Sequence, residues 1–196
     1  MKNIEDILKI KSNDIKPTPG KILISEPFLM DYYFKRSVIL LADHNEEGSF
    51  GVIMNKPLSV KLNEVIKDFP DFASQIYLGG PVQNDSLFFI HTLGAKIEGS
   101  IEVVEGLYWG GEMEVIKEMI SLNLIKPDQI RFYIGYSGWT SNQLEEELKR
   151  NSWVVSTENA SYLLNTNADV MWAKSLQKLG SSYALWPKFP NDPAQN

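Results

Sequence analysis

The sequence predicts a mixed α+β domain, and three observations carry that reading. β-favouring apolar runs cluster early in the chain and are joined by polar turns. Helical periodicities are interspersed later instead of alternating strictly with strands, which argues against a doubly wound parallel sheet. Of the 196 residues, 43% are hydrophobic, enough for the core of one compact domain.

Element by element, Ile4, Ile7 and Leu8 share one helical face, so a short amphipathic helix is expected within an N-terminal segment, 1–19, ahead of a domain spanning 20–196. "KPTPG" (16–20) ends that helix, because proline cannot continue it and glycine permits the turn. "KILISEP" (21–27) reads as a strand. "RSVILLAD" (36–43) and "SFGVIMN" (49–55) read as a hairpin whose polar turn is longer than two residues. Ser59 is placed to cap a helix carrying Leu62, Val65 and Ile66.

"QIYLGGPV" (75–82) is expected to be a strand entering a double-glycine turn, followed by strands over 86–93 and 99–109. Met113, Ile116 and Ile120 fall on one helical face, and "PDQIRFYIG" (127–135) returns as a strand. Residues 168–180 form a last helix anchored by Val170, Met171, Leu176 and Leu179, before an extended, proline-rich end.

Composition limits the chemistry. The chain has no cysteine, which removes thiol catalysis, disulfides and cysteine-based zinc sites and is compatible with a reducing cytoplasm. No run approaches the roughly 18 apolar residues of a membrane helix, so a soluble, cytoplasmic protein is expected. The formal net charge is −6 and there is no basic run, which speaks against direct nucleic-acid binding, because that affinity rests on neutralising phosphates.

The stretch "GYSGWTSNQLEEELKRNSW" (135–153) resembles a strand, glycine turn and helix, a junction where enzymes place nucleophiles or phosphates. A nucleophile elbow at Ser137 needs glycine two residues to either side. Gly135 fits, but Trp139 takes the other position, and Gly138 stands one residue early. An anion cradle at Gly135–Gly138 has no lysine or arginine between Arg131 and Lys149. A connector explains more residues. Thr140 and Gln143 fit a capping box, and Trp139 and Leu144 fit a hydrophobic staple. Glutamates lead and basic residues follow, with Glu145–Lys149 and Glu146–Arg150 as i,i+4 pairs on a surface helix.

His91 shares a strand face with Phe89 and Leu87 and reads as structural. His44 sits in an acidic turn that reads as solvated, with a weak metal site as the alternative. Gly79, Gly80 and Pro81 make a turn that glycine's positive φ accounts for, although its bare backbone can also admit a ligand. The residues weighed as a ligand site are therefore Gly79, Gly80, Pro81, His91, Gly135, Tyr136, Ser137, Gly138 and Trp139. They would lie between the 78–82 and 135–139 glycine turns. No catalytic set, metal site or cofactor fingerprint is complete, which points away from an enzyme. An assembly surface around Trp153 and Trp186 is a further expectation.

The ordered motifs "GKILISEPFLMDYYFKRSVILLADHNEEGSFGVIMNKP", "YLGGPV", "LFFIHTL", "IGYSGWTSNQLEEEL" and "YALWPKFPNDPAQN" together resemble the YqgE/AlgH family of bacterial proteins. The family usually has glycine where Asn142 stands and often arginine where Lys56 stands. The resemblance implies a bifurcated, mostly antiparallel sheet folded into a pseudo-barrel and flanked by helices. Some members are described as transcriptional regulators, chiefly of exopolysaccharide genes. The resemblance carries over no catalytic residues and no DNA-binding motif, so an unidentified protein partner or small ligand is the expected route to any regulation.

Overall fold

The computed structural model describes residues 11–189; the expected opening helix at residues 4–8 lies outside them. Residues 11–19 contain no helix. Ser12 and Asn13 instead bind strand β10 (Trp153–Thr157): the Ser12 hydroxyl donates to the Trp153 carbonyl at 2.6 Å, and the Asn13 amide to that of Val155 at 2.7 Å.

Ten strands share one sheet. β1 (Lys21–Ser25), β2 (Val38–Asn45) and β3 (Gly48–Ile53) form an antiparallel run, and β10 closes onto the far edge of β1. β4 (Pro57–Leu58) pairs with β5 (Ile76–Leu78), β6 is Val82–His91, and β7 (Ile101–Val104) and β8 (Leu107–Trp109) form a hairpin. β9 (Ile130–Thr140) joins the halves, giving the order β10-β1-β2-β3-β9-β6-β8-β7. The sheet is bifurcated at β9. One edge pairs with β6, while the other carries β5 in parallel at residues 132–134 and β3 antiparallel at 137–140. The strand path is open at β10 and β7, so the sheet is not closed into a barrel.

Apolar residues alternate along these strands and both faces are covered. One face carries Ile22, Ile24, Leu40, Val52, Ile90 and Tyr133, packed under α4 (Ala160–Asn165) and α5 (Ala168–Lys178) through Leu163, Met171, Trp172 and Leu176. The other face holds two clusters. Over β10, β1 and β2, Leu23, Ile39, Leu41 and Trp153 meet Leu144 of α3 (Gln143–Lys149). Over β9 and β6, Phe132 and Phe89 meet Leu62 of α1 (Leu62–Val65) and Ile116 and Ile120 of α2 (Met113–Ser121).

Several expectations are corrected by this pairing. The β2–β3 turn has two residues, Glu46 and Glu47, because Asn45 pairs with Gly48 and its side chain accepts the Glu47 N–H at 2.8 Å. Residues 99–109 are two strands that turn at Glu105–Gly106, where Gly106 adopts φ +74°. α1 is a single turn capped at Lys61, whose N–H is accepted by Glu64 at 3.0 Å, and not at Ser59; Ile66 has already left the helix.

β9 runs through Thr140, so "GYSGW" is strand, and α3 starts only after a turn at Ser141–Asn142. Asn142 takes φ +61°, a left-handed conformation that glycine adopts freely and asparagine tolerates. Half of the expected capping box survives, since the Gln143 side chain accepts the Thr140 N–H at 3.0 Å. Among the described residues the ion pair within α3 is Lys149–Glu146 at 2.6 Å, and not the expected Glu145–Lys149 and Glu146–Arg150. β10 and α4 were not anticipated, and Val170 is an exposed residue instead of an anchor. Trp153 and Trp186 are buried, so neither forms an exposed assembly surface.

Candidate functional site

The two glycine turns meet at the fork of the sheet. Gly79 N–H donates to Ile134 O at 2.8 Å, its own carbonyl accepts from Ile53 N at 3.0 Å, and the Ser137 hydroxyl donates to that same carbonyl at 2.9 Å. A Cβ on Gly79 would lie 2.0 Å from Gly135 O, and one on Gly80 would lie 2.3 Å from Tyr136 O. The backbones therefore touch, and no cleft opens between the 78–82 and 135–139 segments. Ser137 is fully buried and committed to this joint, where it has no histidine partner. Gly135, at φ +67°, supplies the left-handed residue where the β6–β9 register shifts between Val82 and Leu87.

His91 lies elsewhere, fully buried and stacked on Tyr108 with ring centroids 5.7 Å apart. Leu93 N–H donates to Nδ1 at 3.2 Å, so Nε2 carries the proton and donates to Gly110 O at 3.0 Å. Burial lowers its pKa below the usual histidine value, with the Gly110 bond opposing, so this is a neutral structural imidazole.

An open groove lies beside the fork, on the face covered elsewhere by α4 and α5. It is a groove of about 660 Å³ to which Tyr136, Gly138 and Trp139 contribute, whereas Gly79, Gly80, Pro81, His91, Gly135 and Ser137 do not. Four consecutive strands each place one aromatic ring in it: Phe50 on β3, Tyr136 on β9, Phe88 on β6 and Trp109 on β8. The rings touch in a closed circuit. Centroid separations are 5.9 Å for Phe50–Tyr136, 5.4 Å for Tyr136–Phe88, 5.7 Å for Phe88–Trp109 and 5.5 Å for Trp109–Phe50. All four remain partly exposed.

Asp43, Asn45, Glu47, Gln83 and Thr140 form the polar rim. A β-bulge between Leu41 and Asp43 sets Asp43 directly opposite Phe50, so it shares the groove face and not the α3 face to which Leu41 belongs. His44 N–H and the Asn45 side-chain amide then bind the two Asp43 carboxylate oxygens at 2.8 and 2.9 Å.

Sequence reasoning missed Phe50, Phe88, Trp109 and Asp43. Their convergence depends on strand order, and no local spacing reports it. The opposite face holds a second constellation: Ser49 Oγ lies 2.7 Å from His44 Nδ1, and His44 Nε2 lies 3.6 Å from Glu145. The order imitates a serine triad, but Ser49 is buried and the histidine–glutamate distance exceeds a hydrogen bond. It joins the β2–β3 hairpin to α3. Among the described residues, no group of three or more histidines and carboxylates could hold a metal, and no helix is long and apolar enough to cross a membrane.

Comparison with known proteins agrees with this architecture. A family model described as AlgH-like matches residues 22–184. A UPF0301 protein of Bacteroides thetaiotaomicron is 50% identical over 192 residues, covering 97% of each chain. One of Chlorobium limicola is 38% identical over 181 residues, covering 92% of this chain and 97% of its own. Among solved structures, AlgH of Pseudomonas aeruginosa superposes with a TM-score of 0.71 at 28% identity, covering 91% of this chain and 98% of its own. Protein DIP2367 of Corynebacterium diphtheriae shares the fold with a TM-score of 0.75 at 24% identity, covering 91% and 95%. The chain belongs to the AlgH-like, UPF0301 family of proteins.

Proposed function

We propose that this protein is a non-enzymatic, cytoplasmic binding protein whose ligand occupies the aromatic groove. Any regulatory effect would pass through that ligand or a protein partner instead of direct contact with DNA. The observation that supports this best is the circuit of four partly exposed rings across adjacent strands. A concave, mostly apolar surface of a few hundred Å³ with a few placed polar groups is the usual form of a ligand site. The acidic rim and the net charge of −6 would repel a phosphate backbone.

The runner-up reading, a metabolite or enzyme site associated with the glycine turns, shifts to the same groove, because the turns themselves are in backbone contact. Amide resonances followed during titration with neutral, cationic and anionic small molecules test the proposal. Saturable shifts clustered at Asp43–Phe50 and Tyr136–Thr140 are expected. Shifts scattered over the surface, or none at these residues with any compound, would remove the groove as the site.

A further inference from the structure

We infer that the ligand presents an alkylated ammonium group to the four rings. This rests on the groove being the binding site and specifies what enters it. Aromatic faces carry negative quadrupole density and attract cations within about 6 Å of the ring centroid. Here four rings, with neighbouring centroids 5.4 to 5.9 Å apart, are all partly open to one groove.

The charges agree. The charged side chains lining the groove are Asp43 and Glu47, with no lysine or arginine among the described lining residues. Asp43 is turned onto this face by the β-bulge and held by His44 N–H and Asn45, so its carboxylate is positioned before anything binds. The two carboxylates attract a cation and repel an anion.

Gly138 supplies the room. It lies directly opposite Phe50, outside the left-handed φ region, so its conformation does not require glycine. A Cβ there would come within 3.3 Å of Tyr136 Cε2 and 3.5 Å of Val82 Cγ2, and a branched side chain would occupy the groove floor. The groove volume, about 660 Å³, exceeds a trimethylammonium head, so a larger molecule carrying that group also fits.

Choline chloride and its neutral isostere 3,3-dimethylbutan-1-ol, each titrated into the full chain by NMR, test this. Choline is expected to shift the Phe50, Tyr136 and Gly138 amides and the Trp109 indole N–H saturably, with the isostere weaker by roughly tenfold. D43N/E47Q should bring choline close to the isostere without changing isostere binding, and G138V should weaken both while the spectrum stays dispersed. Equal binding of choline and the isostere, or displacement of choline by acetate at constant ionic strength, would overturn the cationic assignment and leave the groove as a binding site. Absence of shifts at these residues with either probe would overturn the cationic assignment, while saturable shifts there from the neutral or anionic compounds of the wider titration would still support the groove.

Discussion

His91 shows how little a residue type says without its neighbours. In sequence it is a lone titratable group after an apolar run; in the fold it donates to Gly110 O, accepts from Leu93 N–H and stacks on Tyr108. Its pKa is lowered by burial from the ordinary value of 6.5. The sign follows from proton uptake: below about 6.5 the unfolded chain protonates this imidazole while the folded chain resists. Its contribution is thus fully present above that pH and is lost as pH falls toward the folded value. Glu26, whose carboxyl is raised by burial against an opposing Phe28 N–H bond, slopes the other way at more acidic pH. Urea midpoints of the wild type and H91Q measured between pH 7.5 and 5 isolate the histidine. The difference between the two proteins should change with pH only below about 6.5. A constant difference would mean that His91 protonates equally well folded and unfolded.

At the scale of the element, one carboxylate ties helix α3 to two strands. Glu147 Oε2 accepts the indole N–H of Trp139 on β9 at 2.9 Å and that of Trp153 on β10 at 2.7 Å, while Gln143 donates to its other oxygen at 3.0 Å. Both indoles are buried, and among the described residues Glu147 is the acceptor for each. E147A should cost roughly 2–4 kcal/mol in chemical unfolding, the sum for two stranded donors. E147Q keeps an acceptor oxygen and should lose about half as much or less. Equal losses from the two variants would show that charge, not acceptance, holds the helix.

The order of residues announced this helix and the β1–β3 run, because those signals are local; Trp139 and Leu144 share a cluster, but the helix starts after Asn142, so they do not stand at staple positions. "GYSGW" misled because dense glycine reads as a turn, whereas here Gly135 serves a bulge and Gly138 leaves room opposite Phe50. β10 escaped because five residues shortly after a helix, "WVVST", declare a strand only through pairing with β1. The groove was half visible: Tyr136, Gly138 and Trp139 came from the glycine motif, while Phe50, Phe88 and Trp109 needed the strand order.

The whole molecule depends on β9, which has Phe132 in one core cluster, Tyr133 in the second and Trp139 in the third. Those alternating side chains make the clusters two sides of one strand, so the α2 side cannot melt without baring a face of the central sheet. The tryptophans provide a test. Trp172 and Trp186 lie in the cluster under α5, with Trp109 packed against it, and Trp139 and Trp153 lie in the cluster under α3; the cluster under α1 and α2 holds none. Fluorescence therefore reports two clusters, while far-UV circular dichroism also counts α2.

Ile116 is fully buried on α2, and I116A should cost about 2–5 kcal/mol for the lost methyl groups and the cavity they leave. If β9 couples the clusters, the variant should shift the fluorescence and dichroism midpoints together, although every tryptophan lies outside the mutated cluster. An early dichroism phase with an unmoved fluorescence transition would instead mean that α1 and α2 cover the sheet without being part of its cooperative unit. The same comparison with saturating groove ligand should raise both midpoints equally, because Tyr136, Gly138 and Trp139 extend the strand that carries Phe132 and Tyr133.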